Sequence, residues 1–121
     1  MDDLNQQAIL DLYKHPLNRG LIFDPTLKYK INNPMCGDQV ELTIKLDDKN
    51  KVAAVGWEGN GCRVSQVGAS LLTDHIKNKT REELQKITSD EVIKMTGLNL
   101  NPARLRCLLL TFTALQKCLI I

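Results

Sequence analysis

A chain of 121 residues with 43% hydrophobic content is long enough for one compact domain with a real core and too short for two ordinary ones, so residues 1–121 are expected to form one domain. The formal net charge of +2, with no dense basic run and few aromatic residues to stack on bases, argues against a nucleic-acid partner. The N-terminus is acidic and polar rather than signal-like and no apolar stretch is long enough for a membrane, which leads to the expectation of a cytoplasmic protein whose cysteines bind metal or react.

Along the chain, Leu4, Ile9, Leu10, Leu12 and Tyr13 recur at near-helical spacing and predict an amphipathic helix from Asp3 to Lys14, stopped by His15-Pro16. Leu17 to Asn33 is rich in Pro, Asn and Gly and reads as a surface connection with a short strand around Leu27 to Ile31. Gln39 to Leu46 alternates cleanly, with Val40, Leu42, Ile44 and Leu46 on one face. Asp47-Asp48-Lys49-Asn50 supplies a turn, and Val52 to Trp57 returns antiparallel as the second arm of a hairpin.

A helix is predicted to start near Cys62, carrying Val64, Val67, Leu71, Leu72 and Ile76, with Ser65, Gly68, Ala69 and Ser70 keeping part of its surface small. Its start would aim backbone amides at Cys62. Thr80-Arg81-Glu82-Glu83 fits a capping box and predicts a short helix over Arg81 to Ile87, followed by another over Ser89 to Thr96. Gly97 and Pro102 then separate that helix from a last one running to about Leu119. Strands come before most of the helices, so the fold class is α+β: a small antiparallel sheet with helices packed on one side.

Three cysteines and one aspartate stand out against this frame. Cys36 and Asp38 occur in Asn-Pro-Met-Cys-Gly-Asp, Cys62 in Gly-Asn-Gly-Cys, and Cys107 follows Arg104-Leu105-Arg106. Glycine-flanked loops present a thiol rather than hide it. The hairpin brings the start of its first strand near the end of its second, so Cys36 and Cys62 are expected neighbours. In an extended segment alternate side chains point the same way, which lets Asp38 join Cys36. With Cys107 brought back to them, three thiolates and a carboxylate make a tetrahedral set for zinc or anchors for an iron-sulfur cluster.

These motifs, with Gly59 to Ser65, Ala69-Ser70, Pro102 to Cys107 and the N-terminal stretch Ile9 to Gly20, resemble the iron-sulfur cluster assembly family of IscU, SufU and NifU over nearly the whole chain. The SufU type is the nearer resemblance. Scaffold-type members carry a histidine before the third cysteine and a Leu-Pro-Pro-Val-Lys stretch, where this chain has Arg106 and Asn101 to Leu105. SufU-type members have a basic residue before that cysteine and an arginine three places before it, which Arg106 and Arg104 match. They also carry an added segment between the second and third cysteines, for which Cys62 to Cys107 is too short.

The resemblance implies a three-stranded sheet, whose third strand would lie near Leu27 to Ile31. It implies zinc held by Cys36, Asp38, Cys62 and Cys107, with Cys36 accepting persulfide sulfur from a SufS-like cysteine desulfurase on the way to apo iron-sulfur proteins. A second implication is a scaffold on which the same four residues hold a [2Fe-2S] cluster, and a third is a zinc-stabilised adaptor domain without transfer activity. No Ser-His-Asp set, phosphate loop or paired catalytic carboxylates can be read, so a conventional enzyme with a small substrate is not expected. Cys118, in an apolar tail, reads as a packing residue; His15 reads as a helix-end cap or a solvent-facing residue and His75 as solvated, and Asp38 alone would suit a turn cap.

Overall fold

Asp3–Lys14 (α1), Leu27–Asn33 (β1), Asp38–Leu46 (β2), Val52–Asn60 (β3), Arg63–His75 (α2), Arg81–Gln85 (α3), Ser89–Thr96 (α4), Pro102–Leu108 (α5) and Leu110–Ile120 (α6) follow one another along the chain. The structure, a computed structural model, describes residues 3–34, 37–97 and 99–120. The three strands form one antiparallel sheet in the order β1-β2-β3. The expected third strand is present and runs two residues past Ile31, and β3 continues past Trp57 to Asn60.

Val40, Leu42, Ile44 and Leu46 all point into the core, as their alternation demands. On β3 the phase slips: Lys45 pairs with Ala54 but Leu46 pairs with Val52, leaving Ala53 as an extra residue. This bulge lets Val52 and Val55, three apart, both face inward, a pattern that simple alternation forbids. The hairpin turn is held by the Asp47 carboxylate, which accepts the backbone N–H groups of Lys49 and Lys51 at 2.9 and 3.0 Å. Those two amides hold its carboxyl below the usual aspartate range.

Helix α6 lies against β1 and β2, and α2 lies against β3 and contacts α5, α6, α4 and α1. Leu72, Ile76, Leu84, Val92, Phe112 and Leu115 join the strand residues in one apolar core. The small residues of α2 are its packed stripe rather than an exposed one: Ser65, Gly68, Ala69 and Ser70 are all buried. A Cβ on Gly68 would run into the backbone of Leu108, so only glycine permits α5 to approach this closely. Thr80 and Glu83 form the expected capping box at α3, though that helix ends at Gln85. Gly97, at φ 65°, ends α4 in the left-handed conformation that glycine adopts at little cost.

The predicted last helix is broken at Leu109, whose backbone leaves helical geometry between α5 and α6. No glycine or proline marks the break. It separates a short helix that packs on α2 from a longer one that packs on the sheet, so tertiary contacts override an unbroken helical sequence pattern. The connection after α1 is also more ordered in its bonding than its composition suggests. Gly20 N–H donates to Trp57 O at 2.6 Å, Trp57 N–H donates to Asn18 O at 3.1 Å, and the Trp57 indole donates to Leu17 O at 2.7 Å. Leu17 and Asn18 are tied in turn to Ser70 and Thr73 of α2.

Candidate metal centre

The first residue of β2 and the residue before α2 meet at one end of the sheet. Gln39 pairs with Asn60 across the β2–β3 ladder, so Asp38 reaches the Gly61-Cys62 loop directly beyond it. Asp38 is 3% exposed, and its Oδ1 accepts the backbone N–H of Cys62 at 3.1 Å. Cys62 is the N-cap of α2 and its side chain makes no capping hydrogen bond. The carboxylate from β2 therefore closes the helix start that the cysteine leaves open. Its other oxygen, Oδ2, accepts the hydroxyl of Ser65, a buried residue in the first turn of α2.

Gly61 fits because it has no side chain: a Cβ there would sit 2.6 Å from Asp38 Cγ. The loop is braced from outside by the connection after α1. Arg19 donates to Gln66 Oε1 at 3.0 Å, to Gly59 O at 2.9 Å and to Glu58 Oε1 at 2.8 Å. Gln66 passes the restraint on by donating to Gly61 O at 3.2 Å. The guanidinium also lies 5.0 Å from the centroid of the Trp57 ring, a cation–π contact that fixes its plane.

Cys107 arrives from α5 through the close contact of that helix with Gly68. A carboxylate oxygen of Asp38 and the sulfurs of Cys62 and Cys107 all lie within 4.8 Å of one another. Donors around tetrahedral zinc, at about 2.0–2.3 Å from the ion, are separated by roughly 3.3–3.8 Å. The three groups are thus within about 1.5 Å of coordination spacing, and two soft sulfurs with one oxygen are a donor set zinc accepts. Cys36, the expected fourth ligand, lies outside the described residues; its neighbours Asn33 and Gly37 are joined by a 2.8 Å backbone hydrogen bond.

Cys118 stands apart in the core, as its apolar surroundings imply, and burial pushes its thiol up to about 11. Arg104 and Arg106 are exposed on α5. His15 is exposed as expected, whereas His75 is not simply solvated: its Nε2 lies 2.6 Å from Glu91 Oε2 and ties α2 to α4. Ser65, Gln66 and Arg19 were not apparent as site residues from sequence. For Ser65 a signal existed, since a hydroxyl three residues after a helix N-cap is well placed for a capping-type bond.

The model of a family described as NifU-like N terminal domain matches residues 4–120. The zinc-dependent sulfurtransferase SufU of Bacillus subtilis (strain 168) is 36% identical over 134 residues, covering 97% of this chain and 90% of that protein. That alignment is longer than the 121-residue chain, so the relative carries residues with no counterpart here. The iron-sulfur cluster assembly scaffold protein IscU of Streptococcus pyogenes serotype M1 is 29% identical over 97% of this chain and 83% of that protein. Among solved structures, a protein described as a cluster assembly scaffold for the SUF system of Fervidobacterium Islandicum AW-1 superposes with a TM-score of 0.77. It is 25% identical and the match covers 92% of this chain and 93% of that one.

Proposed function

The chain belongs to the family of NifU-like N-terminal domains, the iron-sulfur cluster assembly proteins of the IscU and SufU kind, and from that premise we propose that it is a zinc-bound sulfur acceptor. In this reading Cys36, Asp38, Cys62 and Cys107 hold the ion, and a cysteine desulfurase of the cytoplasm supplies the sulfur. The observation that supports it most is the convergence of Asp38, Cys62 and Cys107, from three separate segments, on one point. Zinc, when bound, would keep the thiols deprotonated at neutral pH.

The Cys36 thiolate attacks the outer sulfur of the desulfurase persulfide; a new S–S bond forms on Cys36, the old one breaks, and the desulfurase cysteine leaves as thiolate. Exposed Arg104 and Arg106 beside Cys107 offer positive charge to the anionic sulfur. The relative named as a zinc-dependent sulfurtransferase, and Arg106 where scaffold-type members have histidine, favour this reading. The relatives named as IscU scaffolds support a second one, in which the same residues carry a [2Fe-2S] cluster as cargo for apo iron-sulfur proteins.

The test is elemental analysis of protein purified without oxygen, together with sulfur uptake from a desulfurase, in the parent and in Cys36→Ser, Cys62→Ser and Cys107→Ser. About one zinc per chain, lost in the variants, with persulfide formed on Cys36, is the expected result. Stoichiometric iron and sulfide would favour the scaffold, and a parent that takes up no metal would overturn the centre itself.

A further inference from the structure

Ser65 touches two of the three gathered residues through its side chain while lacking a thiol or carboxylate of its own. It is 1% exposed, its hydroxyl donates to Asp38 Oδ2, and its oxygen lies 3.5 Å from Cys62 Sγ. Asp38 belongs to the sheet and Ser65 to α2, so this bond joins two elements across the centre. A carboxylate on a two-torsion side chain has several orientations, and only some offer a lone pair to a point shared with Cys62 and Cys107. The Ser65 hydroxyl bonds to Oδ2 and the Cys62 N–H to Oδ1, so the two bonds together fix the plane of the carboxylate.

We propose that Ser65 is a positioning residue of the metal centre: its hydroxyl holds the Asp38 carboxylate turned toward the two cysteines, and so sets metal affinity without ligating metal. The inference rests on the zinc-binding reading above and assigns that site a further residue. Groups that hydrogen-bond to a ligating carboxylate orient it and raise its worth as a ligand, and their loss costs roughly 10–100-fold in metal affinity. The burial of Ser65 fits the role, since water cannot stand in for the hydroxyl once it is gone.

The test is a zinc titration of metal-free protein against a competing chelator, in the parent, Ser65→Ala, Ser65→Thr, Asp38→Ala and the Asp38→Ala/Ser65→Ala double variant. Ser65→Ala is expected to weaken zinc by roughly 10–100-fold, Ser65→Thr to recover most of that, and Ser65→Ala to change nothing further once Asp38 is alanine. Should Ser65→Ala fold poorly, Ser65→Thr against the isosteric Ser65→Val gives the same comparison of hydroxyl with methyl. A parent that binds zinc and a Ser65→Ala protein that binds it equally well would sink this inference alone. So would the same loss in both Asp38 backgrounds, which is the mark of a merely structural serine. A parent that binds no zinc sinks the proposed function and this inference together.

Discussion

Asp38 accepts the backbone N–H of Cys62 at 3.1 Å, so a carboxylate proposed as a metal ligand is also the cap of the helix that carries its neighbouring thiol. Asp38→Ala therefore removes a ligand and loosens the start of α2 at once. Loss of a helix cap costs about 0.5–2 kcal/mol. The metal-free Asp38→Ala protein should unfold at lower denaturant than metal-free parent, by a margin in that range. Asp38→Asn, which retains an accepting oxygen, should lose less; equal stability of all three would show that the cap carries no weight.

Gly61→Ala should act through Asp38. The added Cβ would fall 2.6 Å from Asp38 Cγ, a separation that forces the carboxylate aside. The expected result is weaker zinc binding with the helical content of circular dichroism retained. In an Asp38→Ala background the carboxylate has gone but the Cβ of residue 38, 2.9 Å from the added one, and the φ of 154° at Gly61 remain, so Gly61→Ala should still cost stability while lowering zinc affinity no further.

Arg19 braces the Cys62 loop through Gln66 and Gly59, with side chains that are partly exposed. Its removal should cost only about 1–2 kcal/mol, the worth of a few solvent-accessible polar contacts. Arg19→Lys should recover little, because an ammonium cannot hold three acceptors in one plane while lying on the Trp57 ring. Hydrogen exchange of the amides at Gly61 and Cys62 would report the loosening; unchanged exchange in Arg19→Ala would show that the brace is idle.

Cys118 gives a prediction in pH. Burial raises its thiol from 9.0 to about 11, so the folded chain keeps the proton where the unfolded chain has lost it. The unfolded state then binds fewer protons, and stability falls as pH rises from 9 toward about 11. Chemical unfolding followed across that window should show a steeper decline for the parent than for Cys118→Ala. Of the three described cysteines, half-buried Cys62 should be alkylated first and Cys118 only on unfolding.

What could be read from sequence was local. The alternation of Val40, Leu42, Ile44 and Leu46, the turn at Asp47, and the Thr80–Glu83 cap each rest on residues a few positions apart, and each appears in the structure. The approach of Asp38 to Cys62 was legible through the glycine-flanked thiols and the hairpin, whereas the return of Cys107 to them was implied only by the family motifs. The Asp38–Ser65 bond spans 27 positions and the Arg19–Gly59 bond 40, and nothing in either neighbourhood announces its distant partner. The bulge at Ala53 and the break at Leu109 were hidden for a related reason: packing against other elements, not local preference, decides them.

The centre draws its donors from a sheet, a helix start and a second helix held near by Gly68. An unfolded chain scatters the same donors, so an ion that binds all of them favours the folded state in proportion to its concentration over its dissociation constant. The lifetime of this protein against proteolysis should therefore follow metal supply: starved of the ion, the chain spends more time open and is cleared, and replete, it persists. In the zinc-bound sulfur acceptor proposed above, abundance would then register zinc before any sulfur has moved.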